Sequence, residues 1–176
     1  KGEEWRIEQD QQYSLCFAKG CKVTVTGGGT IRFEGERVKG DHTKKNICAC
    51  AGTEVTLRDI TVEGGGVFAH GRRGPRDGDP PCSLILENVK IVGMPKHAIM
   101  ARGGGVVTMN GGSIDVANAV DALVFAADKG SKVSLTGCAI TVRGAKSGLM
   151  AADGGGLAVS GCSINGSALA WRAGAA

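Results

Sequence analysis

The feature that most constrains this chain is a pair of alternating apolar residues that keeps returning. It reads Val23-x-Val25, Val55-x-Leu57, Leu84-x-Leu86, Val107-x-Met109, Val133-x-Leu135 and Leu157-x-Val159. The starts fall 32, 29, 23, 26 and 24 residues apart. Alternation with period two is the mark of a strand with one buried side. A unit of this length, repeated along most of a chain, is the mark of a solenoid. No such unit can bury its apolar side alone, so the core must form by stacking.

Each repeat carries two further elements. One is a short apolar burst, here called strand A: SLCF, ICAC, GVFA, AIMA, LVFA, GLMA and ALAW. The alternating pair is strand B. A third element, strand C, is centred on Ile31, Ile60, Val89, Ile114, Ile140 and Ile164. The bends from B to C are tight and carry Asp59, Asn88, Gly111-Gly112, Gly137-Cys138 and Gly161-Cys162. Asp, Asn and Gly tolerate the left-handed backbone that such a bend needs. The bends help explain why the chain holds 30 glycines, over twice the usual share of about 7%. No segment has the period of an amphipathic helix. The expected fold is therefore all-β, a stack of about six to seven coils with three short strands each.

The segments VTLRDITV (55–62) and LILENVKIVG (84–93) carry a resemblance. They are similar to the rung of the right-handed parallel β-helix of the pectate-lyase-like superfamily, with Asp59 and Asn88 at its short bend. The resemblance covers about residues 13–171. It implies one domain over 1–176, with 1–12 as an N-terminal cap and Trp171 near the other end. That superfamily includes lyases, hydrolases, epimerases, adhesins and modules without catalysis, so the fold leaves function open.

The outward sides of the strands separate ordinary faces from an unusual one. Strand B turns out Thr24, Thr56, Ile85, Thr108, Ser134 and Ala158. Strand C turns out Arg32, Thr61, Lys90, Asp115, Thr141 and Asn165. Both sets suit water. Strand A, aligned on Leu15, Ile47, Val67, Ile99, Leu123, Leu149 and Leu169, turns out Cys16, Cys48, Phe68, Met100, Val124, Met150 and Ala170. All of these are apolar. Such a stripe marks a surface that something covers. The expected cover is a protein partner, bound through Phe68, Met100, Val124 and Met150. The competing accounts are a segment of the same chain folded over the stripe, or bulges that turn both residues inward.

Two insertions interrupt the coils, 36–46 and 70–81. They bring His42, Lys44, Lys45, His70, Arg72, Arg73 and Arg76 to the rim of strand A, with His97 before the next burst. Loops on a regular scaffold often carry function. The alternative function is thus an anionic-polysaccharide site. A lyase or hydrolase would need carboxylates on the outward strand A positions, and these positions have none. Asp77 and Asp79 lie in a Gly/Pro loop and read as solvated turn residues. The expected protein is not an enzyme and uses no cofactor or metal.

The totals exclude other classes. A net charge of +4 is too slight for a nucleic-acid surface, which needs a basic stripe. No apolar run has the roughly 20 residues of a membrane span. The chain opens on Lys1, which reads as a processed or excised product. Its 7 cysteines cannot all pair within the chain. An odd count speaks against a secreted domain built on disulfides, and packing as small thiols is the expected role.

Overall fold

The computed structural model of the chain describes residues 4–7, 15–17, 20–34, 46–50, 52–71, 81–93, 97–117, 122–144, 147–166 and 171–173. Among these residues there are strands and turns but no helix. The first coil holds β1 (Glu4–Ile7), β2 (Leu15–Phe17) and β3 (Lys22–Thr26). The second holds β4 (Thr30–Phe33), β5 (Asn46–Cys50) and β6 (Glu54–Arg58). The third holds β7 (Thr61–Glu63), β8 (Gly66–His70) and β9 (Ser83–Glu87). The fourth holds β10 (Lys90–Gly93), β11 (Ile99–Arg102) and β12 (Val106–Asn110). The fifth holds β13 (Ser113–Ala117), β14 (Ala122–Ala127) and β15 (Lys132–Thr136). The sixth holds β16 (Ala139–Arg143), β17 (Ser147–Ala152) and β18 (Gly156–Ser160). β19 (Ser163–Gly166) and β20 (Trp171–Ala173) begin a further turn.

Every third strand stacks on the next in parallel. Sheet A runs β2-β5-β8-β11-β14-β17-β20, sheet B runs from β3 to β18, and sheet C runs from β1 to β19. The chain is a right-handed parallel β-helix of about six to seven coils, as the repeat predicts. Glu4–Ile7 lies beside β4 as the first strand of sheet C.

The register explains the core. In sheet B, Val23, Val55, Leu84, Val107, Val133 and Leu157 stack in one inward row. Its middle members are fully buried, while Leu157 at the end is only partly buried. In sheet C the inward row is Ile31, Val62, Ile91, Ile114, Ile140 and Ile164. This corrects the sequence alignment, which centred the second and third C strands on Ile60 and Val89. Those two residues lie two positions earlier, at the bend, with their side chains buried. A shift of two keeps each side chain on its own face, so Thr61 and Lys90 still point out. The row beside Arg32 is nevertheless Glu63, Val92, Asp115, Thr141 and Asn165.

The bend from sheet B to sheet C carries a left-handed corner in every coil. The corner residue with positive φ is Gly28 (70°), Asp59 (53°), Asn88 (51°), Gly111 (66°), Gly137 (63°) or Gly161 (61°), joined by Gly27 (132°) in the first bend and Gly112 (79°) in the fourth. Four of these amides stay in the ladder. Asp59 N–H donates to Glu87 O at 3.0 Å, Asn88 to Asn110 O at 2.9 Å, Gly111 to Thr136 O at 2.8 Å and Gly137 to Ser160 O at 2.9 Å. Where the corner is not glycine, side chains join in. Asn88 Nδ2 donates to Asp59 Oδ1 of the preceding coil at 2.8 Å.

Gly111 and Gly112 are both left-handed, yet their surroundings differ. A Cβ on Gly111 would meet nothing, whereas a Cβ on Gly112 would lie 2.1 Å from Val89 O. Asn is among the residues best suited to a left-handed site. Gly111→Asn is therefore expected to cost less than about 1 kcal/mol. Gly112→Ala should cost about 2–4 kcal/mol, from backbone strain plus overpacking. Urea unfolding midpoints of the two variants check this, and equal losses would contradict it.

Candidate functional site

Two of the three outward faces are polar and are tied from coil to coil by charge. On sheet B, Lys22 Nζ lies 2.7 Å from Glu54 Oε1, and Arg58 pairs with Glu87. On sheet C, Arg32 Nη2 lies 3.0 Å from Glu63 Oε2, and Arg143 pairs with Asp115. Each pair joins neighbouring coils. Such exposed pairs add little stability, but they favour one register over its slips.

Sheet A differs, and its register decides which residues matter. Its inward rows are Leu15, Ile47, Val67, Ile99, Val124 and Leu149, and beside them Phe17, Ala49, Ala69, Ala101, Ala126 and Ala151. The central outward row is Cys16, Cys48, Phe68, Met100, Phe125 and Met150. None of these six is a charged residue type; beyond Met150 the next register partner is Arg172 in β20. Leu123 and Val124 are both fully buried, so β14 does not alternate at its start, whereas Cys48, Phe68 and Met100 cluster apart from the main core.

Val124, expected on the outward face, is corrected. It is fully buried in the inward row, between Ile99 and Leu149. The alignment had placed Leu123 in that row, one residue early, and a slip of one exchanges the faces of a strand. Phe125 is the outward residue that sequence reasoning missed. The signal was present: Ala126-Ala127-Asp128 matches Ala151-Ala152-Asp153, and anchoring on it sets Phe125 against Met150. The last burst is also displaced. Trp171, not Leu169, is in register with Leu149.

The outward row is covered unevenly. Cys48, Phe68 and Met100 are only 6%, 6% and 7% exposed, although they face away from the core. The chain itself supplies that cover, so Phe68 and Met100 are not free for a partner as expected. The His70 ring stacks on Phe68 at 5.2 Å between centroids. The His97 ring stacks on Phe125 at 5.7 Å, and His97 Nδ1 lies 2.6 Å from Ala122 O. Further along, Phe125 and Met150 are half-buried and open to solvent. At the other end Cys16 is exposed.

Of the loop residues, only His70 is among those described. His42, Lys44, Lys45, Arg72, Arg73, Arg76, Asp77 and Asp79 lie outside the described residues, as do most of the 36–46 and 70–81 insertions. At the sheet A edge, Asp128 Oδ2 accepts from Gly103 N–H at 3.1 Å and lies 3.4 Å from Arg102 Nε. These bonds tie the corner between two coils. Among the described residues, no group of three or more His, Cys, Asp or Glu side chains is placed to hold a metal. Among the described residues no helix is long and apolar enough to cross a membrane.

The cysteines divide into two kinds, none of them in a disulfide. Cys138 and Cys162 occupy successive bends, as expected of small stacked residues. Cys138 N–H donates to Cys162 Sγ at 3.3 Å, and burial is the main cause that pushes the Cys138 thiol up to about 11. Burial also pushes Cys82 up to about 11. Cys16 is the opposite case. The Cys48 thiol hydrogen-bonds to it, as does Cys50, and together they outweigh partial burial and bring Cys16 down to about 7.

No protein-family model, curated protein or solved structure matches this chain. The geometry of the faces therefore carries the functional reading.

The register of β14 gives a direct check. Val124→Lys puts a charge into the core and is expected to abolish cooperative unfolding, because a buried unpaired charge costs more than a small domain can spare. Phe125→Lys, one residue on, should retain the fold and lower binding of a hydrophobic dye. Circular dichroism melts with dye fluorescence distinguish the two, and the reverse pattern would restore the rejected alignment.

Proposed function

We propose that this protein is a non-catalytic β-helix module of the pectate-lyase-like superfamily, and that it docks onto a larger protein assembly through sheet A. The observation that supports this most is the outward row of that sheet. It stays apolar over six coils while the other two faces are polar and cross-linked by charge. An apolar row on a solvated sheet is expensive unless it is covered. The chain covers the middle of it and leaves Phe125 and Met150 half open.

The docking end is accordingly the late-coil part of the row, with Met150 as anchor and Phe125 beside it. Methionine suits such a place because its unbranched thioether adapts to a partner's shape. Phenylalanine adds a large apolar area for little lost rotamer freedom. The partner surface this fits is an apolar protein segment. The final coil adds to the docking end. Leu157, Val159 and Ile164 point inward but are only partly buried.

The test compares two charged substitutions on different faces. Met150→Glu should weaken association with a captured partner at least tenfold, about 1.4 kcal/mol or more, since it leaves a desolvated charge at the contact. Thr141→Glu, on the outward side of sheet C, should leave it unchanged. Quantitative cross-linking from the native source, with both variants in parallel, gives the comparison. Equal capture by both variants would overturn the docking face. Turnover of anionic polysaccharides that disappears in His70→Ala would overturn the non-catalytic reading in favour of a carbohydrate site.

A further inference from the structure

The outward row of sheet A begins with two cysteines. Cys16 in β2 and Cys48 in β5 are direct register partners in adjacent parallel strands and lie on the same face. Neighbouring strands are about 4.8 Å apart, and disulfides span Cα separations of about 4.4–6.8 Å. Cys50 is on that face too, two residues further along β5. That step adds about 6.6 Å along the strand and takes its Cα to about 8 Å from Cys16, beyond ordinary disulfide reach. Among the described residues β2 is the first strand of its sheet and pairs with β5 alone.

Exposure gives the two thiols different roles. Cys16 is exposed, while Cys48 is 6% exposed beneath the cover of the row. A reagent from solvent meets Cys16 first, and Cys48 is the neighbour within reach. We propose that Cys16 and Cys48 form a redox-active dithiol, which reacts with small-molecule disulfides of the glutathione type and closes a reversible disulfide between the first two coils. The proposal rests on β2 and β5 and is independent of docking at Phe125 and Met150.

The exchange balances in two steps. The Cys16 thiolate attacks one sulfur of the small disulfide, whose S–S bond breaks. One small thiolate leaves and takes a proton from water, and Cys16 carries the mixed disulfide. Cys48 then loses its proton to solvent and attacks Cys16 Sγ. The mixed bond breaks and the second small thiolate leaves. Two protein thiols are oxidised to one disulfide, one small disulfide is reduced to two thiols, and excess small thiol reverses the exchange. The hydrogen bonds from Cys48 and Cys50 favour the first step, because they hold Cys16 near pH 7 and make about half of it thiolate at neutrality.

The experiment equilibrates the full chain in buffers of oxidised and reduced glutathione, then alkylates the remaining thiols and maps peptides by mass. The expected product joins Cys16 to Cys48 and is lost again in excess reduced glutathione. In Cys48→Ser the reaction should stop with glutathione on Cys16. Alkylation of Cys16 should show a midpoint near pH 7, moving upward in Cys50→Ala. At pH 7 it should run about threefold faster than an unstructured peptide thiol, since greater ionisation outweighs lower intrinsic nucleophilicity. The proposal is overturned if the unsubstituted chain stops at the glutathione adduct, if the link maps to Cys50 or Cys21, or if Cys16 ionises like a free thiol. The mapping on the unsubstituted chain needs no variant to fold.

Discussion

The whole structure depends on the left-handed corner that each coil places between sheets B and C. At the corner between sheets B and C the chain must turn sharply without leaving the hydrogen-bond ladder. A backbone with positive φ does both, and Gly28, Asp59, Asn88, Gly111, Gly137 and Gly161 supply it in register. The amides of Asp59, Asn88, Gly111 and Gly137 reach the carbonyl at the end of the next B strand, so these corners keep their place in the ladder. Move this corner by one residue in a single coil and the strand that follows presents its other face. The corner thus sets the register of both strands that meet at it, and through them the core.

Fixed register turns a sequence into rows. Each coil contributes one side chain to each row, about 4.8 Å from the next. Rows that point inward become ladders of Val, Leu and Ile, fully buried in the middle coils. Rows that point outward are free to specialise. Sheets B and C use theirs for cross-coil ion pairs such as Lys22–Glu54 and Arg32–Glu63. These disfavour slips that would put like charges opposite one another. Sheet A keeps an apolar row instead, and two histidine rings lie flat on its phenylalanines. The contrast between faces of one scaffold singles out sheet A. The greasiness of any one residue does not.

Much of this was legible in the chain. The recurrence of the Val-x-Val pair gave sheet B in its true register, and Asp59, Asn88 and the Gly-Gly bends marked the corner. The slips came where local pattern admits two answers. In the third and fourth coils, Ile60 and Val62, or Val89 and Ile91, are apolar residues two apart, and both are buried. The sequence cannot say which opens the strand until the partner strand is placed. In the fifth coil, Leu123, Val124 and Phe125 are three apolar residues in succession, so alternation carries no information. Only the shared Ala-Ala-Asp downstream fixes the phase. Burial of Phe68 and Met100 was not legible at all, because what covers an outward residue comes from elsewhere in the chain. The thiol cluster was half legible. Cys16 and Cys48 occupy the same place in successive bursts, but alignment shows proximity and not acidity.

The outward row of sheet A thereby has two unlike ends. Thiols stand in the first two coils, and Phe125 and Met150 in the fifth and sixth. Three coil spacings separate β5 from β14, about 14 Å, with Phe68 and Met100 packed between them. A stack of this kind is stabilised by each coil's contacts with its neighbours, so a local bond propagates only through the ladder it tightens. Closing a link between β2 and β5 fastens the first described strand of the sheet to its neighbour, and it leaves the inward rows of the later coils unchanged. A β-helix can in this way hold a chemically reactive site and an apolar contact on one face without either setting the geometry of the other. Coupling between them would need the covered middle of the row to exist in two packings. The two stacked rings, His70 on Phe68 and His97 on Phe125, are the elements positioned to report such a change.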